Sequence, residues 1–272
     1  MATAPQAITY PVSQTRHPRG AHAQWLDDGR LHLHHGPIDL VIGADGAPDA
    51  VRQACSAAID SFATVLEELV CEVALLRTPI DRIARRPSGC VAARMWAATM
   101  PHADVYRGSN YVTAMASVAG AVADEILSVM RNAANLDRIY VNNGGDIALY
   151  LHPAAVPVPH YTVGICADPD AVLWSHVNPD ALAGNRVARP VPDAFAGTIK
   201  ITAADQVGGI ATSGWKGRSH SLGVADLVTV LAPTAAAADV AATLIANAVW
   251  PDDNNKTDLP GVQRQPANVL AP

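Results

Sequence analysis

Two oxygen-bearing side chains, Asp239 and Thr243, stand four positions apart in the Ala-rich segment "AADVAATLIAN". On a helix, residues four apart lie on one face, one turn above the other, so this carboxylate and this hydroxyl would project side by side. Oxygen ligands of this kind suit Mg²⁺ or Ca²⁺. The pair is therefore a candidate cation site, although the spacing is equally typical of an exposed polar pair on a helix.

A second candidate lies in "RIYVNNGGDIALYL", residues 138–151, where two apolar runs flank five residues that are poor strand formers. These five are Asn142, Asn143, Gly144, Gly145 and Asp146. Asn-Gly between apolar runs is typical of a hairpin turn, because both residues tolerate positive φ. The same residues could instead form a backbone shaped to receive a ligand, and the local pattern leaves both interpretations open.

A third candidate is the glycine-rich stretch "ATSGWKGRSHSLG", residues 211–223. It contains hydroxyls, two cations and one histidine: Thr212, Ser213, Lys216, Arg218 and His220. Exposed backbone amides and cations are what a phosphate or carboxylate needs. The P-loop pattern is absent, and so is the G-x-S-x-G pattern that would favour a serine hydrolase using His220. An anion-binding loop and an ordinary surface loop both remain open.

Two further groups could do chemistry. His32 and His34 in "LHLHH" lie on one face of a strand and could share a metal, but no third ligand stands nearby at helix spacing, which favours metal-free surface histidines. Asp124 lies in the helical segment "VADEIL". If it is buried it needs a hydrogen-bond donor, so we expect either a structural cap or a site residue.

The elements that would position these residues alternate between strands and helices. Residues 49–78 place apolar side chains three and four apart without Gly or Pro, which predicts a long helix. Strand-like runs precede this helix and recur between residues 138 and 232, and Pro233 and Thr234 begin a last helix. This order predicts an α+β fold with antiparallel sheets packed with long helices. We expect a flexible leader at 1–24, one two-lobed domain at 25–250 and an irregular tail at 251–272.

Composition limits the class of partner. The net charge is −6 and only 16% of the 272 residues are charged, so nothing favours nucleic acid or an anionic membrane, and we expect a small-molecule ligand. Four cysteines without metal-binding spacing indicate reduced thiols, and the N-terminus lacks a signal-peptide pattern, which together predict a cytoplasmic protein. The apolar windows are too short to span a membrane. The Ala-rich helices would permit a homo-oligomer.

Six motifs occur in an order that resembles one known family. They are "MASVAGAVADEIL", "VNNGGDIALYL", "ATSG", "SHS", "VTVLAP" and "ADVAAT". Between about residues 110 and 250 this order is similar to the FAD:protein FMN transferases, the ApbE-like superfamily, and most similar to a poorly characterised cytosolic branch of it. The resemblance implies tandem T-fold-like units and a Mg²⁺-dependent transferase acting on FAD, FMN or a pterin.

Roles for individual residues follow from that resemblance. It implies that Asp239 and Thr243 bind Mg²⁺ or Ca²⁺, with a backbone carbonyl near Val118 or Ala119 as a third ligand. It also implies that the segment 142–146 borders a nucleotide pocket. Of the two interpretations of this segment, the resemblance therefore favours a strand end shaped to receive a ligand over a simple hairpin turn. Thr212, Ser213, Lys216 and Arg218 would contact the cofactor, and His220 and Asp124 would be catalytic.

One departure from the family pattern keeps other functions open. Ala119 stands where the transferases carry lysine. A non-catalytic flavin- or pterin-binding protein is therefore an alternative. A second alternative is an enzyme in the biosynthesis of a methanopterin-type one-carbon carrier such as tetrahydromethanopterin.

Overall fold

The structure, a computed structural model, describes residues 15–16, 20–83, 85–108, 112–166, 195–215 and 221–249. Its strands are β1 (Thr15–Arg16), β2 (His22–Trp25), β3 (Leu31–His35), β4 (Ile38–Asp45), β5 (Arg138–Asn143), β6 (Asp146–Leu151), β7 (His160–Cys166), β8 (Phe195–Thr202), β9 (Gly209–Ser213) and β10 (Val228–Ala232). Its α-helices are α1 (Pro48–Leu76), α2 (Cys90–Thr99), α3 (Val118–Ala133) and α4 (Ala235–Ala248).

Eight of the strands form one antiparallel sheet in the order β1-β2-β3-β4-β5-β6-β9-β10. The remaining two, β7 and β8, form a separate antiparallel pair. β6 and β9 meet through only two residue pairs, Ile147 with Ile210 and Ala148 with Gly209. The prediction of an α+β fold with antiparallel sheets packed with long helices is confirmed.

One face of the sheet packs on helices and holds the main core. Helix α1 has Pro48 in its first turn and then buries apolar residues spaced three and four apart, among them Phe62. Leu31 and Leu33 of β3 also belong to this core. They are two residues apart, and side chains two apart on a strand point to the same face. The periodicity in the sequence therefore predicted both elements, and the structure shows which of their faces are buried.

Helix α4 approaches its neighbours closely because small residues line the contact. A Cβ added at Gly120 of α3 would lie 2.3 Å from the carbonyl oxygen of Ala235, and one added at Gly209 of β9 would lie 2.1 Å from its amide nitrogen. Both distances are far below van der Waals contact. These glycines therefore bring the first turn of α4 against α3 and β9.

The other face of the sheet differs between two regions. In the covered half, which we define as β5, β6, β9 and β10, Leu149, Leu151 and Ile210 pack against the β7–β8 pair through Ile201 and its neighbours. In the open half, defined as β2, β3 and β4, the corresponding face carries exposed or half-exposed side chains. They are His22, Gln24, His32, His34, Asp39 and Val41.

Strand residues begin earlier than expected. Thr15, Arg16 and His22 pair in strands within the segment predicted as a flexible leader, and Ala21 and Ala23 are buried, so that boundary is wrong for these residues. Residues 251–272, the predicted tail, lie outside the described part. Within the described ranges, no helix has the length and apolar character needed to cross a membrane.

Candidate functional site

The largest concave feature that gathers the candidate residues is a cavity of about 760 Å³ at one end of the sheet. The start of α3, the β5–β6 turn and one face of α4 form its polar side. Nine residues singled out in the sequence line it: Val118, Ala119, Asn143, Gly144, Gly145, Asp146, Thr212, Asp239 and Thr243. Residues separated by more than a hundred positions therefore meet in one site.

Asp239 and Thr243 face this cavity from α4, as their spacing predicts. Both are partly buried, and the Oδ2 atom of Asp239 accepts a hydrogen bond of 3.0 Å from the backbone N–H of Gly120. Because Gly120 lies in the first turn of α3, this bond fixes the carboxylate beside the start of that helix. The interpretation as an exposed surface pair does not hold.

Asp146 is the second carboxylate of the cavity. Burial raises its pKa to about 6, against a backbone hydrogen bond from Thr212 that lowers it. Burial also raises the pKa of Asp239 well above its usual range, and the nearby charge of Asp146 raises it further. Neither carboxylate forms an ion pair with a lysine, arginine or histidine of the described residues. The site thus concentrates negative charge that the described side chains leave uncompensated.

The segment 142–146 is a hairpin turn that borders the cavity. β5 and β6 are joined by Gly144 and Gly145, whose φ values of 63° and 115° lie in the region that glycine tolerates. A Cβ added at Gly145 would meet nothing within 4 Å. The turn conformation accounts for the two glycines, and the turn also lines the cavity, so ligand binding at this strand end stays a prediction.

The two asparagines before the turn act on opposite faces. Asn142 accepts a 2.8 Å hydrogen bond from the N–H of Gly145 through its Oδ1 atom and stabilises the turn, and it does not line the cavity. Asn143 is buried and donates through Nδ2 to the carbonyl oxygen of Ala119 at 3.0 Å. The carbonyl beside Val118 is thus already engaged by one donor, although a carbonyl oxygen has a second lone pair for a further partner.

The two hydroxyl residues of β9, Thr212 and Ser213, lie on opposite sides of the strand. Thr212 lines the cavity, and its Oγ1 lies 2.9 Å from the Oγ1 of Thr229 on β10. Ser213 is buried on the opposite side of the strand, with its Oγ 3.3 Å from that of Ser221. Ser213 therefore does not line this cavity, because alternation along β9 turns it away, and its predicted contact with a cofactor has no support from the cavity.

Asp124 has a structural role in this arrangement. Its two carboxylate oxygens accept hydrogen bonds of 3.0 and 2.9 Å from the backbone N–H groups of Ala235 and Ala236. These are among the first N–H groups of α4, which have no partner within the helix. Asp124 does not line the 760 Å³ cavity. Of the two roles left open by the sequence, the cap is the one observed, while the catalytic role implied by the resemblance stays a prediction.

The apolar walls of the cavity were missed by the sequence analysis. Val163 and Ile165 of β7 and Ile199 of β8 form one wall, and Ile147 and Ile210 form another. The alternation in "YTVGIC" and "GTIKITA" indicates strands, but it carries no information on which sheet face they cover. Thr229 was missed for the same reason.

Three candidates, Lys216, Arg218 and His220, lie outside the described residues. In the described ranges, no three His, Cys, Asp or Glu side chains come close enough to hold a metal ion. A cation in this cavity would therefore depend on the two carboxylates together with hydroxyl and carbonyl oxygens.

Comparison with known families identifies the chain. The model of a family described as "AbpE bacteria" matches residues 23–272, so the chain belongs to that family. This is a different family from the ApbE-like superfamily, and the resemblance to the latter is overturned. The T-fold units and residue roles that rested on it lose that support. A search of curated proteins found no match.

Proposed function

We propose that this member of the AbpE bacteria family binds a flat, phosphate-bearing heterocycle of the flavin or pterin type together with a divalent cation, and acts as a Mg²⁺-dependent transferase. The observation that carries the proposal is the pair of partly buried carboxylates, Asp146 and Asp239, beside the Thr243 hydroxyl at the polar end of a cavity with apolar walls.

The two neighbouring carboxylates support the proposal of a divalent cation. Two carboxylates in one partly buried site raise each other's pKa, because each ionised group disfavours the other. A divalent cation removes that repulsion and replaces the lost hydration of both groups. The donors are all oxygen, which favours Mg²⁺ or Ca²⁺ over softer metals. Asp239, Thr243, Asp146 and the carbonyl at Val118 would hold it.

Other features of the cavity support a ligand that combines a phosphate with a flat heterocycle. A dication bound by few protein ligands keeps positions for phosphate oxygens, as in many nucleotide sites. Beyond the carboxylates, Ile147 and Ile210 face Val163 and Ile199, and such apolar walls suit the faces of an aromatic ring system. The volume of about 760 Å³ lies within the range of cofactor pockets.

The chemistry proposed is group transfer at the phosphate. When bound, the cation would neutralise phosphate charge and orient the transferred group. Asp239 would keep its position through the N–H of Gly120, and Asn143 would hold the start of α3 through the carbonyl of Ala119. His220 stays a predicted proton donor or acceptor. The small-molecule partner agrees with a net charge of −6, while a cytoplasmic location and self-association stay predictions from the sequence.

The binding test uses thermal unfolding of the full chain with FMN, FAD or a pterin phosphate, each with and without Mg²⁺. We expect a rise in Tm that requires both the ligand and Mg²⁺, because a ligand bound only by the folded state stabilises it. Asp239→Asn should abolish the Mg²⁺-dependent part. Asp27→Asn, a change at an exposed position, is the matched control and should keep it. An equal Mg²⁺-dependent shift in Asp239→Asn would remove the metal role.

The activity test incubates the protein with FAD and Mg²⁺ and separates the products by chromatography. Transfer would break the pyrophosphate bond of FAD, with AMP as the leaving group and the FMN group passed to an added alcohol or, in its absence, to water. Release of AMP by the native protein, and its loss in Asp239→Asn, would support this chemistry. Intact FAD that nevertheless raises the Tm would indicate a non-catalytic binding protein instead.

A further inference from the structure

We propose that His22, His32 and His34 bind a transition-metal dication such as Zn²⁺ on the exposed face of the open half, with Asp39 orienting His32. This site is separate from the cavity described above and does not depend on its function. The sequence places two of these histidines, His32 and His34, on one strand and offers no third ligand at a recognisable spacing. The structure supplies the third from the neighbouring strand.

The strand register places the four residues together. His22 of β2 is directly opposite His34 of β3, and His34 is directly opposite Asp39 of β4. Side chains directly opposite each other in an antiparallel pair have Cβ atoms about 5 Å apart. His32 lies two residues before His34, so it points to the same face. Three imidazoles and a carboxylate therefore share one patch of the sheet.

Ring distances show how much movement a shared metal requires. The ring centroids of His22 and His34 are 6.4 Å apart, and those of His32 and His34 are 6.5 Å apart. Tetrahedral zinc with Zn–N bonds of about 2.0 Å would bring such centroids to roughly 5 Å. As placed, these rings do not converge, in agreement with the absence of any three-residue metal group in the described ranges.

Two of the rings can make that movement. His22 and His34 are exposed, so rotation about their side-chain bonds between staggered positions displaces no core residue and can bring both rings toward His32. His35, the next residue along β3, is different. It is buried against Phe62, with ring centroids 6.3 Å apart, and belongs to the other face. Among the described histidines of β2 and β3, the three outward ones are those that can contribute to this site.

Asp39 provides the second observation that favours a metal. Its Oδ1 atom lies 2.8 Å from the Nε2 atom of His32. A carboxylate bonded to one imidazole nitrogen fixes the ring and directs its other nitrogen toward a metal, an arrangement that recurs around bound zinc. The Nδ1 atom of His32 would then be the ligand. Imidazole nitrogens favour Zn²⁺, Cu²⁺ or Ni²⁺ over the cations that suit the carboxylate cavity.

Three protein ligands would leave a fourth position open. In zinc sites this position holds water or a substrate atom. A metal bound in this way would also link β2 to β3 near the edge of the sheet, since its ligands come from both strands. The inferred site thus has the ligand number of a catalytic or exchangeable centre rather than of a closed structural one.

The test is calorimetric titration of the tag-free full chain with ZnCl₂ in a buffer that does not bind metal. We expect one site whose affinity falls at least tenfold in His34→Ala and in His22→Ala. Asp39→Asn should weaken it about tenfold, the lower end of the effect of such supporting carboxylates. His160→Ala is the matched control, because His160 is also exposed on a strand but lies outside the cluster. It should bind as the native chain does.

A second measurement separates this site from the cavity. Co²⁺ bound by nitrogen ligands in tetrahedral geometry gives a visible absorption that octahedral oxygen sites give only weakly. The band should appear in the native chain and in Asp239→Asn, and should be lost in His34→Ala. Absence of Zn²⁺ binding by the native chain, or equal affinity in His34→Ala, would overturn the proposal.

Discussion

The two halves of the main sheet share one construction on the helix side and differ on the other. In the covered half the outward residues include Tyr140, Ile147 and Ile210, and the β7–β8 pair packs on them. In the open half the outward residues include His22 and His34, and they stay exposed. In both halves, successive side chains of a strand point to opposite faces of the sheet. The two halves therefore differ in the chemistry of the side chains at the outward positions.

This difference explains where a cavity can form. A pocket for an apolar ligand needs walls on more than one side, and the β7–β8 pair supplies the second wall only over the covered half. The open half has no such wall among the described residues, so a ligand there would have to be bound by exposed side chains alone. A metal ion is a ligand of that kind, because a few strong bonds replace an enclosing surface.

The largest effect expected from the comparison is on stability. Leu149→Ala removes a buried side chain between the covered half and the β7–β8 pair, and should lower the free energy of unfolding by about 3 kcal/mol, as large-to-small core changes do. His34→Ala on the open half should change it by less than about 0.5 kcal/mol without metal. Urea denaturation measures both. Equal losses would show that the two faces are not distinguished by packing.

A smaller loss is expected where α4 joins the covered half. Asp124→Ala leaves two N–H groups at the start of α4 without their acceptor and should lower the free energy of unfolding by about 2 kcal/mol. Hydrogen exchange should then speed up in α4, β9 and β10 while β2 to β4 keep their protection. Asp124→Asn keeps one acceptor oxygen and should lose less. Uniform acceleration across the sheet would contradict this local role.

The smallest effect concerns pH. The pKa of Asp146 is raised from 3.8 to about 6 by burial, so between these values the folded chain holds a proton that the unfolded chain has lost. The stability that this proton provides is complete below about pH 4 and is lost as the pH rises through about 6. Raised pKa values of Asp239 and Asp124 act in the same direction.

The measurement compares urea midpoints at pH 5 and pH 7 without divalent cations. The Asp146→Asn variant has no titrating group at position 146. Its urea midpoint should therefore fall less between pH 5 and pH 7 than that of the native chain. Asp27→Asn is the control, since that residue is exposed. Identical pH profiles for Asp146→Asn and the native chain would show that Asp146 is not buried with a raised pKa.

The sequence predicted the elements well because their signals are local. The predicted long helix corresponds to Pro48–Leu76, and the last helix begins after Thr234, whose side chain accepts a hydrogen bond from the N–H of Ala237. The side-by-side placement of Asp239 and Thr243 likewise follows from spacing within one helix. Each of these needs only a few neighbouring residues to be specified.

Contacts between distant segments could not be predicted in this way. Asp146 meets Asp239 only because β6 pairs with β9 and α4 packs beside them, and no periodicity records that pairing. The same is true of His22 and His34, which are brought together by strand register. Ser213 and Asp124, which were predicted at the site but do not line this cavity, also show that spacing does not reveal which side of an element faces the cavity.

The adjacency of His34 and His35 has a consequence for how this chain tolerates insertions. These neighbours point to opposite faces of β3, one toward solvent and one toward Phe62. Sliding β3 by a single residue against both neighbouring strands would exchange their environments and turn Leu31 and Leu33 outward. Length changes in the two short turns that flank β3 would therefore destroy the histidine cluster and the inner packing in one step.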